Sequence, residues 1–108
     1  MHEMNKTEGI MYAVIFEVFV KVEGKDEYLK LATELKKNLE GREGFISIER
    51  FQSLTEKGKL LSLSFWETEE AIAKWRNLLE HRNAQEQGKA RLFDSYRIRV
   101  AQVVRDYT

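Results

Sequence analysis

The first chemistry this sequence suggests lies in "WRNLLEHRNAQ", where Trp75 stands six residues before His81, the chain's one internal histidine. An imidazole titrates near neutrality and is a suitable general base. An indole offers a flat apolar wall on which an organic ring can rest, with one polar N–H at its edge. The pair therefore suggests a site for an organic molecule at the end of an amphipathic helix. A plainer reading competes with it. Trp75 falls on the helix's inner stripe, where a tryptophan is more often core than site, and a protonated histidine near a helix C-terminus contributes about 0.3–1 kcal/mol of stability.

Composition narrows the classes of function. The chain has 108 residues, room for one domain. Lys and Arg together number 18, as do Asp and Glu, so the net charge is zero. A nucleic-acid binder is not expected from such a balance. Cysteine is absent, which excludes disulfides, thiol nucleophiles and cysteine-ligated metals. Two histidines without a carboxylate cluster at ligand spacing argue against zinc. No apolar run approaches the roughly 20 residues of a membrane span. Residues 1–9 read as a short disordered tail ahead of one domain over residues 10–108, in a cytoplasmic protein.

The elements that must position Trp75 and His81 follow from periodicity. Residues 11–22, "MYAVIFEVFVKV", are β-branched and aromatic on both alternating faces, as in a strand covered on both sides. Tyr28, Leu31, Ala32, Leu35 and Leu39 recur at helical spacing over residues 25–40, and Gly41 is placed to cap that helix. "GFISIERFQSL" and "KLLSLSFW" read as two strands joined by "TEKG", a turn with glycine where a positive φ is expected. In the second of these, Leu61, Leu63 and Phe65 share one face, and Ser62, Ser64 and Trp66 the other.

Thr68 can cap the next helix, whose inner stripe is Ile72, Trp75 and Leu79 with Ala71 and Leu78. A second helical piece is expected near residues 82–91, before a last strand in "DSYRIRVAQVVRDY". There Arg97, Arg99 and Arg105 share a face, with pairing to Glu17 or Glu49 as their simplest role.

The order β-α-β-β-α-β predicts an α+β, ferredoxin-like antiparallel sheet with both helices on one face. The other face is then apolar, from the first strand and, on this reading, from Trp66. Burial of apolar area is worth about 25 cal/mol per Å², so a second copy of the chain is the expected cover. A homodimer follows, with a cavity between each sheet and its own helices.

At the level of motifs, "GFISIERFQS" and the stretch from "LSFWETEEAIAKWRNLLEHRN" onward resemble the antibiotic biosynthesis monooxygenase domain, densest from Phe65 to His81. The resemblance implies a dimeric α+β barrel. It also implies one of three functions. The first is a cofactor-independent monooxygenase acting on a small phenol- or hydroquinone-like aromatic molecule with O2. In that branch Trp75 and His81 supply wall and base, while Trp66, Phe16, Tyr96 and Arg97 bind substrate.

The second is a haem-binding or haem-degrading enzyme, matched at Trp75 and His81. There the resemblance expects a strand-1 asparagine, and this sequence has Phe16. The third is a non-catalytic dimer that binds a small molecule. The first is preferred, with no cofactor expected and haem as the alternative.

Overall fold

The computed structural model describes the backbone of residues 10–86 and 93–108, with side chains over residues 10–78 and 95–108. Strand β1 is Tyr12–Val20, helix α1 Lys25–Leu39, β2 Phe45–Gln52, β3 Lys59–Trp66, α2 Glu69–Glu86 and β4 Phe93–Gln102. The strands form one four-stranded sheet in the order β2-β3-β1-β4, every neighbouring pair antiparallel. That order and connectivity make the ferredoxin-like α+β fold. No helix among the described residues is long and apolar enough to cross a membrane.

Sequence chemistry explains the element ends. β1 stops at Val20, and the chain turns through a short 3-10 segment, Val22–Gly24, into α1. The apolar stripe of α1 buries Tyr28, Ala32, Leu35 and Leu39. Its C-terminus is closed by Gly41 at φ 86°, the left-handed conformation that glycine adopts without steric penalty. Thr68 caps α2, its Oγ1 accepting from the Ala71 N–H at 3.1 Å.

Three expectations change. Gly58 in the β2–β3 turn does not have a positive φ. The turn is held instead by Ser53 Oγ, which accepts from the N–H groups of Thr55 and Glu56, and by the Gln52 amide, which donates to the surrounding carbonyls. Helix α2 runs unbroken through residue 86, so residues 82–86 are not a separate piece, and 87–91 lie outside the described residues, as does the expected tail 1–9. β4 ends at Gln102 because its partner β1 begins at Tyr12, the last paired position.

Register assigns the two faces of the sheet. Val14 and Phe16 of β1 lie opposite Ser64 and Ser62 of β3 and opposite Val100 and Ile98 of β4, all turned toward the helices. Ile15, Leu61, Leu63 and Phe65 occupy the opposite, uncovered face with Ala13 and Phe19. Trp66 is therefore on the helix side, fully buried, and not part of the uncovered face as the sequence pattern suggested. Arg97 and Arg99 share the uncovered face with Glu17, and Arg99 Nη1 reaches Glu17 Oε2 at 3.5 Å. Exposed pairs of this kind contribute about 0–1 kcal/mol.

The core has two parts on the helix side. One joins Phe16, Val18, Val20 and Leu60 to Tyr28 and Ala32 of α1. The other joins Val14, Leu39 and Trp66 to Ile72 and Trp75 of α2, and Ile98 packs against both. Gly44, at φ 85°, permits the approach of α2 to the start of β2, because a Cβ there would stand 2.7 Å from that of Ala71.

Candidate functional site

Where the two parts of the core meet, the packing is incomplete. Tryptophan occupies two adjacent positions of the second part, and each indole is held by a different neighbour. Trp66 packs edge-on against Phe45 with ring centroids 5.3 Å apart. Its Nε1–H donates to Ser64 Oγ at 2.8 Å. A buried indole N–H requires an acceptor, and Ser64 supplies it from the same strand. Trp75 lies 5.9 Å from Trp66 and meets Phe16 in a T-shaped contact at 6.4 Å. Phe16 in turn meets Tyr96 of β4 at 5.7 Å. The result is a continuous aromatic chain from β2 to β4 beneath the helices.

Opposite Ser62 the small side chain leaves space unfilled. A cavity of about 30 Å³ lies there, walled by Phe16, Trp75, Leu35 and Tyr28, with Ser62 and Arg50 supplying polar atoms. That is room for a water or two. A drug-sized ligand occupies roughly 300–1,000 Å³, so admitting one requires side chains around this space to move. A larger open groove of about 440 Å³ lies between the start of β2 and the N-terminus of α2. Its rim mixes the charges of Arg42, Glu43, Glu67, Glu70 and Lys74 and carries no aromatic ring.

Arg50 is the feature that periodicity did not single out. It stands in phase with Ile48 and opposite Ser62, so the strand directs its guanidinium toward α1. One nitrogen, Nη2, donates to the Ala32 carbonyl at 3.1 Å, a helix oxygen one turn beyond Tyr28. Tyr28 and the guanidinium line the same cavity. Burial raises the Tyr28 pKa above its ordinary 10.0, and the Arg50 charge pulls it partly back. At neutral pH the phenol is therefore protonated, and Arg50 is the local positive charge.

The residues singled out from sequence separate into three groups. Phe16 and Trp75 line the cavity, and Tyr96 touches Phe16 from the sheet edge, where it is half exposed. Trp66 backs Trp75 without facing the space. Arg97 lies on the far side of the sheet, in register with Glu17. Neighbouring strand residues point to opposite faces, so Tyr96 and Arg97 do not act in one pocket. His81 belongs to α2, and its side chain lies outside the described residues. Tyr28, Arg50 and Ser62 complete the cavity and were missed. The signal available for Arg50 was a charged residue in phase with the inward Ile48. Among the described residues, no group of three or more histidine and acidic side chains is placed to hold a metal ion.

Comparison with known proteins decides the family. The model of the antibiotic biosynthesis monooxygenase family matches residues 11–87. The chain belongs to that family.

Among curated relatives, it is 41% identical over 93 residues to the jasmonate monooxygenase ABM of Pyricularia oryzae, a match covering 86% of this chain and 43% of that protein. This chain thus spans less than half the length of that relative. An uncharacterized Bacillus subtilis protein, YqjZ, is 34% identical over 106 residues, covering 97% of this chain and 90% of its own.

Solved structures share the family's fold at low identity. SnoaB, a cofactor-independent oxygenase from Streptomyces nogalater, aligns with a TM-score of 0.70 at 10% identity, over 89% of this chain and 95% of that one. The haem degrader MhuD of Mycobacterium tuberculosis aligns at 0.66 and 18%, over 90% and 99%.

The Tyr28 environment makes a pH prediction. A phenol whose folded pKa lies above its unfolded value contributes stability below pH 10 that is lost as pH rises through the folded pKa. Thermal unfolding measured from pH 8 upward should show destabilisation setting in above about pH 10. In Tyr28→Phe that alkaline loss should be shallower, since the group that resists ionisation is gone. An identical alkaline slope in the two proteins would contradict the assignment.

Proposed function

We propose that the protein is a small cofactor-independent monooxygenase whose substrate is a compact aromatic molecule of the phenol or hydroquinone type. The observation that carries this reading is the cavity formed where Phe16 and Trp75 meet Tyr28, Arg50 and Ser62, in a chain of a monooxygenase family. The relatives named as a jasmonate monooxygenase and a cofactor-independent oxygenase support oxygen chemistry at such a cavity. Phenol plus O2 gives a quinone plus water, so all four electrons come from the substrate and no external reductant is required. The protein's tasks are to hold the ring flat against Trp75 and Phe16, to exclude water, and to remove the phenolic proton. His81 is the proposed base. Tyr96 closes the wall beside Phe16, and Trp66 fixes the position of Trp75 from behind.

Haem is the alternative, and the described residues fit it poorly. A porphyrin needs a broad flat slot. The strand-1 asparagine of the haem-degrading resemblance falls at or beside Phe16, where this chain has no amide, and the Phe16 ring is engaged edge-on with both Trp75 and Tyr96. A one-ring substrate asks for far less rearrangement of that cluster than a macrocycle does.

The uncovered face of the sheet is read as the contact with a second copy of the chain. Leu61, Leu63, Phe65 and Ile15 form its apolar middle, and Phe51 adds an exposed ring on β2. Contiguous apolar surface of this kind marks an interface.

Two measurements test these proposals. Oxygen uptake with a panel of phenols and hydroquinones should exceed background for at least one compound. His81→Ala should lower kcat/KM by about 10²–10⁴-fold, the range of a lost general base. A whole panel without uptake would end the oxygenase reading. Separately, sedimentation equilibrium should give twice the chain mass, with Leu63→Glu shifting the protein to the monomer. A monomeric wild type at low micromolar concentration would end the dimer reading.

A further inference from the structure

We propose that the Arg50 side chain is the recognition group for an anionic oxygen on the ligand, so that the cavity selects a carboxylate or an ionised phenol or enol over a neutral isostere. The proposal deepens the function proposed above and rests on its reading of the cavity as the site.

Three observations carry it. First, Arg50 Nε is fully buried and has no hydrogen-bond partner among the described residues, although a guanidinium N–H is a strong donor. Leaving such a donor dry and unpaired is costly unless something else occupies it part of the time. Secondly, the residue lines the cavity, whose other walls are largely apolar, so its charge is weakly screened there. Thirdly, none of the ion pairs among the described residues involves Arg50, so no carboxylate among those residues neutralises its charge.

One arm of the side chain is anchored. Nη2 is tied to the Ala32 carbonyl of α1. That contact holds one arm of the fork against α1, and Nε is a buried donor still to be matched. The position of the cation also suits the chemistry. A ligand ring between Phe16 and Trp75 with its oxygen toward β2 would have its ionised form favoured by Arg50, which is the form that donates electrons to O2.

A matched set of one-ring probes tests this. 4-Nitrophenol reports its own ionisation through the yellow phenolate band, 4-nitrobenzoate supplies a carboxylate, and 4-nitroanisole is the neutral isostere. With wild-type protein, near the pH at which free 4-nitrophenol is half ionised, binding should raise the phenolate-to-phenol ratio about tenfold, the effect of a nearby opposite charge. 4-Nitrophenolate or 4-nitrobenzoate should bind about 10–100-fold more tightly than 4-nitroanisole. Preference for the phenolate alone assigns an ionised enol or phenol, and preference for the benzoate alone assigns a carboxylate.

Arg50→Gln should abolish the enrichment while 4-nitroanisole still binds, and Arg50→Lys, which keeps a charge without the Nε–H, should retain a smaller part of it. If Arg50→Gln does not fold, the wild-type comparison still decides. Equal binding of charged and neutral probes, or enrichment undiminished in Arg50→Gln, overturns the anion proposal and leaves the cavity reading intact. No binding of any probe up to ~1 mM, an affinity worth only about 4 kcal/mol, overturns both.

Discussion

The phase of strand β3 is the constraint on which the remaining features depend. Its inward row is Leu60, Ser62, Ser64 and Trp66, and its outward row includes Leu61, Leu63 and Phe65. A strand chosen only to fill a core beneath two helices would turn its leucines inward. Here two serines face the helices instead, one to satisfy the Trp66 indole and the other to leave space beside Phe16 and Trp75. The same choice sends the larger apolar side chains to the uncovered face. The internal cavity and the apolar outer face are thus two consequences of one register.

That register is fixed from both sides. β1 lies in the middle of the sheet, paired with β3 and β4, and is apolar on both faces apart from Glu17. A one-residue slip of β3 would bring Leu61 and Leu63 into the helix layer and carry Trp66 into the open, separating its N–H from the helix-side environment it occupies. Trp66 acts as the register pin, since a fully buried indole bonded to its own strand has one good placement.

Much of this was legible in the sequence. The order of elements, the stripe Tyr28–Ala32–Leu35–Leu39, the Gly41 and Thr68 caps and the shared face of Ser62, Ser64 and Trp66 all follow from local pattern. What local pattern could not provide was which face of β3 is covered, because hydrophobicity taken alone turns Leu61, Leu63 and Phe65 inward. The side was decided by pairing with Val14 and Phe16, a non-local fact. Arg97 was misassigned to the pocket for a related reason: adjacency to Tyr96 in sequence means opposition across the sheet. Arg50 and Tyr28 are 22 positions apart and become a pair only when α1 is laid over β2. Neither residue type is unusual where it stands.

The functional account rests on the space beside Ser62 being a binding site and not a packing defect, and one substitution separates the two. Ser62→Val keeps a strand-compatible residue and fills the gap against Phe16 and Trp75. Oxygen uptake and the melting temperature should be measured together on this variant and the wild type. The account predicts an equal or higher melting temperature, as filling a void normally gives, with turnover reduced by at least about tenfold. A protein that is equally or more stable and fully active would contradict it, because the cavity would then have been filled without loss of function.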